Sequence, residues 1–171
     1  MLIVVSGISG SGKTTFCNYL TSEINFHYFN VGRILSEKIQ HRFNIQEQCD
    51  IGELFFSGKL PEIYHYEIVR SFITPTKNYI IDGLRVYKTY ELLKKEFNEF
   101  YSIFICIDET IRIERLKNEI ETRRNIEERI KKDLYLNDLK MICDKSDYVI
   151  INDHKLQDLF NHVKIISKKI N

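Results

Sequence analysis

Eight residues near the start of the chain, Gly7-Ile8-Ser9-Gly10-Ser11-Gly12-Lys13-Thr14, fit the spacing GxxxxGK[ST]. These residue types suit a phosphate anion. Glycines let successive main-chain N–H groups turn inward around phosphate oxygens, and a following helix presents its positive end to them. The Lys13 ammonium then lies on the outer phosphates, and the Thr14 hydroxyl is placed to ligate Mg²⁺. The competing reading is a glycine-rich turn that binds nothing. Context weighs against it, because the apolar run "LIVVS" (2–6) precedes the loop and the helix-forming "TTFCNYLTSEI" (14–24) follows it. The expectation is a triphosphate held by Gly7, Ser9, Gly10, Ser11, Gly12, Lys13, Thr14 and Thr15.

A second constellation, "IIDGLR" (80–85), places one carboxylate at the end of an apolar run, followed by glycine and arginine. Asp82 can hold Mg²⁺ or its waters beside Thr14. Gly83 permits close backbone approach, and Arg85 projects a planar donor fork suited to a phosphate. Two simpler readings compete. Asp82 could cap a helix over "VYKTYELLKKEF" (86–97), a role compatible with the first, and Arg85 could form a surface ion pair. A water-activating ATPase would want paired acids here. A guanine-reading switch would want NKxD, and the nearest string, "DKSD" (144–147), lacks the amide and reads as a solvated turn. Transfer of a phosphoryl group fits better than hydrolysis.

These residues need a scaffold. Five β-type runs, "LIVVS" (2–6), "HYFN" (27–30), "NYIID" (78–82), "YSIFICID" (101–108) and "DYVIIN" (147–152), alternate with helical patterns. Several are apolar without alternation, as strands covered on both faces are. Leu156, Leu159, Phe160, Val163, Ile166 and Ile170 form one helical stripe, and Leu93, Phe97 and Phe100 a shorter one. Strands alternating with helices imply a parallel sheet with right-handed crossovers. Two strand-free insertions interrupt the pattern, at about 31–77 and 109–146. The seven glycines concentrate in the opening loop, after the second and third strands and in the first insertion. Ligands of α/β sheets bind at such strand ends.

At 171 residues and 43% apolar, the chain suits one domain, 1–171, with a single core. A formal charge of +1 supplies no global field for nucleic acid or a membrane surface. Cys17, Cys49, Cys106 and Cys143 form no CxxC pair, so a zinc site or redox dithiol is not expected, and Cys106 reads as a small core residue. Free thiols, and the lack of any leader or membrane-length apolar window, point to a soluble cytoplasmic protein. The oligomeric state is not legible.

With these motifs in place, the chain resembles the nucleoside monophosphate kinases, the adenylate-kinase-like P-loop kinases. The likeness rests on "GISGSGKTT" (7–15), "NVGRILSE" (30–37), "IGELFFSGKLPEIYHYEIV" (51–69) and "YIIDGLRVY" (79–87). The ending "SDYVIINDHKLQDL" (146–159) looks like the base-side loop and last helix of that family, and equally like those of dephospho-coenzyme A kinase. The resemblance implies a three-layer α/β P-loop fold with a five-stranded parallel sheet, a helical acceptor-binding insertion and a short helical lid. It also implies Mg²⁺ with ATP as donor, small-molecule nucleotides as partners, Gly32, Arg33 and Arg85 at the acceptor, and Arg115 and Asn152 on the donor base side. Lys13, Asp82, Arg115 and Arg124 would be catalytic, with Arg123 and Arg129 as further lid arginines. Solvated i,i+4 pairs such as Glu127 with Lys131 offer a plainer reading of the lid.

The pattern departs from the family at several places. Ser36 stands where an arginine is common, Arg33 directly follows Gly32, "DGLR" is one residue short, and Glu119 replaces a lid arginine. These changes count against adenosine monophosphate as the acceptor. A nucleotide phosphate needs no general base, whereas a hydroxyl acceptor benefits from a carboxylate. No acid follows the second strand before Glu37, which favours a phosphate acceptor, although Asp82 could still serve as a base. The aromatics Phe43, Phe55, Phe56, Tyr64, Tyr66 and Phe72 crowd the first insertion, and helix-spaced rings are more often core than pocket. His65 and His154 are expected to face solvent.

Overall fold

The computed structural model describes residues 1–43, 54–55, 57–119 and 136–170. Strand β1 (Leu2–Ser6) is buried along its whole length, which is why its sequence shows no polar alternation. It lies at the centre of a parallel sheet with β2 (His27–Asn30), β3 (Tyr79–Asp82), β4 (Phe100–Cys106) and β5 (Tyr148–Ile151), ordered β2-β3-β1-β4-β5. The five expected runs are the five strands, although β4 stops at Cys106 and leaves Ile107 and Asp108 to the loop.

Side chains alternate between two cores. Ile3, Val5 and Ile80 pack against α1 (Lys13–Glu23) and α7 (Leu156–Ile170) through Phe16, Leu20, Leu159 and Val163. Leu2, Val4 and Ile81 face the other way, onto α2 (Val31–Phe43), α3 (Glu62–Arg70), α4 (Tyr87–Glu96) and α6 (Leu136–Lys145). Three layers result, as expected. Helix α5 (Glu109–Glu119) leaves the β4 end and brings Leu116 against the opening loop. The chain moves from β1 to one side of the sheet and later to the other, and in sheets wound this way ligands bind beyond the carboxyl ends of the strands at that reversal.

Several expectations need correction. Leu156 is 54% exposed, because the stripe that docks α7 begins one turn later at Leu159. Phe100 is not part of a helical stripe: α4 ends at Glu96, Phe97 adopts an extended conformation, and Phe100 starts β4. Asp82 does not cap the following helix, which starts at Tyr87, whose N–H donates to Asp138 at 2.8 Å. "DKSD" is mostly exposed, as a solvated segment should be, but Asp144 and Lys145 belong to α6 rather than to a turn, and the Asp147 carboxylate accepts from the N–H and hydroxyl of Ser102. Cys106 is half-buried and packs against the core, so the expected core role holds in part, while Cys17 is fully buried.

His65 is the clearest reversal. It is buried on α3, one turn before Ile68 and Val69 on the same face, and its Nδ1 lies 2.8 Å from Thr89 Oγ1. Burial holds its pKa down at about 3, against an ordinary 6.5. Between those values the unfolded chain binds a proton that the folded chain refuses. Stability from this residue is therefore complete above about pH 6.5 and is lost as the pH falls towards 3, by up to about 1.4 kcal/mol per pH unit. His65→Gln keeps a hydrogen-bonding group without the titration. Its urea midpoint is expected to fall less than that of the wild type between about pH 6.5 and pH 4. Equal pH slopes would contradict this.

Candidate active site

The opening loop closes tightly because two of its glycines hold backbone that other residues resist. Gly7 has φ +143°, and a Cβ there would run into the Ile105 carbonyl oxygen. Gly12, at φ +92°, precedes the first turn of α1, and a Cβ there would stand 2.5 Å from Asn152 Nδ2. Inside the loop, the Lys13 ammonium donates to the Ile8 carbonyl at 2.6 Å.

Two side chains brace the loop from outside. Asn152, at the end of β5, donates Nδ2 to the Ser11 carbonyl at 2.8 Å. Arg112, on the first turn of α5, donates Nε to the Ser9 carbonyl at 2.8 Å, and its Nη1 holds Glu109 at 2.9 Å. Both are buried. Holding the Ser9 and Ser11 carbonyls from outside suits a loop that must offer N–H groups to an anion. Arg112→Met is expected to keep the packing and free the Ser9 carbonyl, weakening triphosphate binding about tenfold, the scale of one charge-assisted hydrogen bond. Titration with a fluorescent ATP analogue measures this, and unchanged affinity would contradict it.

Asp82 ends β3 opposite Val5 and Asn30 in the sheet register. It is fully buried, with an asymmetric environment. Oδ2 accepts from Thr14 Oγ1 at 2.8 Å, Asn30 Nδ2 at 2.9 Å and Tyr28 OH at 3.0 Å. Oδ1 has no hydrogen-bond partner among the described residues. A buried acceptor left unsatisfied is unfavourable by about 1–3 kcal/mol, which marks this oxygen as held for something else. Burial and the adjacent Asp82 charge push the Tyr28 hydroxyl well above its ordinary pKa, so it stays a neutral donor. Burial, then the same charge, keep the Cys17 thiol protonated.

Arg115, one turn beyond Arg112, reaches the His154 carbonyl at 3.4 Å, which brings it to the loop after β5 that begins with Asn152. Thr15 is half-buried in the first turn of α1, and Arg85 is half-buried between β3 and α4. Gly32 and Arg33 lie in the first turn of α2, where the Arg33 side chain is 79% exposed and pairs with Glu37 at 2.9 Å. Arg123, Arg124, Arg129 and Cys49 lie outside the described residues, as do Phe56 and the Phe43 side chain. His154 is exposed, as expected.

Tyr28, Asn30 and Arg112 escaped the sequence reading. The first two sit two apart on β2, so they share a face, but only the register shows that this face carries Asp82. Arg112 lies three residues before Arg115, one helical turn away, and that spacing was its available signal.

Comparison with known proteins agrees with this fold. A family model described as an AAA domain (AAA_18) matches residues 3–136, from β1 to the start of α6. The GTP:AMP phosphotransferase of Plasmodium falciparum (isolate 3D7) is 32% identical over 100 residues, 55% of this chain and 44% of that protein. The chain thus spans less than half the length of that relative. A shikimate kinase of Bacteroides thetaiotaomicron superposes with TM-score 0.64 at 17% identity, covering 99% of this chain and 98% of that one. A gluconokinase of Sinorhizobium meliloti 1021 gives TM-score 0.68 at 11% identity, covering 98% and 91%. Identities that low establish the fold, and the expected likeness to the P-loop kinases is borne out. With its phosphate loop, strand-end carboxylate and first four strands inside the matched span, the chain belongs to the AAA domain family and is a P-loop kinase in fold.

Proposed function

We propose that the chain is an ATP-dependent phosphotransferase that moves the γ-phosphate to a nucleoside or deoxynucleoside monophosphate. The observation that carries this reading is the Thr14–Asp82 pair at the foot of the phosphate loop, with Asp82 Oδ1 buried and unpartnered among the described residues. A hydroxyl and one carboxylate oxygen suit a hard cation that takes its other ligands from phosphates and water. Thr14 and Asp82 would hold Mg²⁺, which when bound neutralises charge on the phosphates.

The chain's own residues supply the rest. Lys13 exchanges the Ile8 carbonyl for an outer phosphate oxygen, and the inward N–H groups of the loop, fixed by Asn152 and Arg112, receive the others. Arg115 and the loop from Asn152 to His154 flank the donor base. Arg33, released from Glu37, and Arg85 take the acceptor phosphate. Residues 1–171 act as one domain, with the insertion 31–77 over the acceptor and 109–146, including Arg124, as the lid that excludes water. Among the described residues no helix is long and apolar enough to cross a membrane, in keeping with a cytoplasmic enzyme of nucleotide metabolism.

A second reading has specific support. The names of the structural neighbours, a shikimate kinase and a gluconokinase, point away from nucleotide acceptors, and Asp82 Oδ1 could take a proton from a hydroxyl. Against it, β2 ends in Asn30, whose amide is engaged with Asp82, and no acid follows before Glu37. Purified protein with Mg·ATP and a panel of nucleoside monophosphates, nucleosides, shikimate, gluconate and dephospho-coenzyme A separates the readings. Diphosphate products support the first, and turnover restricted to hydroxyl acceptors supports the second. Binding without turnover would reduce the chain to a nucleotide-binding module. With the acceptor found, Arg85→Ala is expected to raise its KM about tenfold or more with kcat less affected, the loss of one charge-assisted contact. Unchanged acceptor kinetics would remove Arg85 from the site.

A further inference from the structure

We propose that Asn30 is a positioning residue that ties the Asp82 carboxylate to the helix that opens the acceptor insertion, so that events at the cation side are felt at the acceptor side. This rests on the reading of Asp82 given above. Asn30 is the last residue of β2, immediately before Val31, the first residue of α2. Its Oδ1 accepts the N–H of Arg33, the third residue of that helix, at 3.1 Å, which is the bond an N-cap makes. Its Nδ2 donates to Asp82 Oδ2 at 2.9 Å.

One planar amide thus works at both ends. With its oxygen committed to the helix, its NH₂ must face Asp82. Serine could cap α2 but is too short to span to the carboxylate as well. Aspartate could cap but has no proton to give when ionised. Gly32 leaves the amide room: a Cβ there would stand 3.2 Å from Asn30 Oδ1. Because Thr14, Tyr28 and Asn30 all donate to Oδ2, the carboxylate is held in one orientation, with Oδ1 directed away from these donors. Any rotation of Asp82 pulls on Asn30, and Asn30 pulls on the turn that carries Gly32 and Arg33. Tyr28 grips the same oxygen from β2 with its hydroxyl.

The test uses the full chain with Mn²⁺ and ATP. It reads bound Mn²⁺ by electron paramagnetic resonance and protection of the Arg33 amide by hydrogen exchange. In the wild type, Mn²⁺ with ATP is expected to raise Arg33 protection. Asn30→Ser, which keeps a capping oxygen and so the helix start, should retain basal protection, bind Mn²⁺ about tenfold more weakly and lose the response of Arg33. Tyr28→Phe should weaken Mn²⁺ similarly yet keep the response. If Arg33 in Asn30→Ser responds as in the wild type, the tie through Asn30 is wrong while the reading of Asp82 stands. If the wild type holds no Mn²⁺ with ATP, both are wrong.

Discussion

Lys13→Ala is expected to abolish phosphoryl transfer, with kcat reduced by about 10³-fold or more and little loss of folded stability. The two effects separate because of what the ammonium touches. In the folded chain Lys13 donates to the Ile8 carbonyl within its own loop, a local contact whose removal leaves both packed cores intact. The loop's shape is kept by other means, namely the positive-φ glycines, Asn152 on Ser11 and Arg112 on Ser9. During transfer, negative charge shifts onto the bridging and terminal oxygens, and a cation held in a site of low dielectric stabilises that charge far more than it would in water. Removing one such group from comparable sites lowers rates by about 10²–10³-fold, and Lys13 is also the cation placed to follow the moving phosphoryl group. Stopped assays with radiolabelled ATP, alongside urea unfolding, measure both sides. A variant with near-normal kcat would remove Lys13 from the chemistry, and a variant that failed to fold would show the loop to be a structural element first.

The second large effect is expected at Asp82. In Asp82→Asn the side-chain oxygen can keep the Oδ2 position and still accept from Thr14, Asn30 and Tyr28. The amide nitrogen then occupies the position of Oδ1, where it offers protons in place of lone pairs. Shape is preserved, so destabilisation should stay within about 1–3 kcal/mol, the scale of one buried unsatisfied donor. Function should suffer far more: kcat is expected to fall about 10²–10³-fold, and the Mg²⁺ concentration for half-maximal turnover to rise. The contradicting result is an unchanged Mg²⁺ requirement. It would mean that the orphan oxygen faces something other than a cation, and the hydroxyl-acceptor reading, with Asp82 as a proton acceptor, would gain weight.

What could be read from the chain divides along physical lines. The phosphate loop was legible because its function is local: eight consecutive residues carry their own backbone conformation and the start of a helix. The strands were legible because a parallel sheet buried on both faces needs continuous apolar runs, and "LIVVS" and "YIID" have no other good use. Helix ends were harder. Phe100 has the right spacing for the α4 stripe, but the turn at Asn98 and Glu99 takes the chain into β4 before the stripe can continue. His65 was misplaced because a histidine defaults to the surface, yet it lies at i relative to Ile68 and Val69 at i+3 and i+4, and its partner Thr89 arrives from another helix. Asn30 and Tyr28 were out of reach for the same reason. Their meaning lies in a register that pairs residue 30 with residue 82, and a single sequence holds no record of that pairing.

The central physical claim is that the amide-lined loop and Lys13 hold a triphosphate. Isothermal titration of the wild-type chain and of Lys13→Ala with Mg·ATP and Mg·GTP tests it most directly. One site of sub-millimolar affinity for at least one of the two in the wild type, lost or greatly weakened in the variant, is the predicted result. No heat of binding from either triphosphate at millimolar concentration, or equal binding by both proteins, would contradict it.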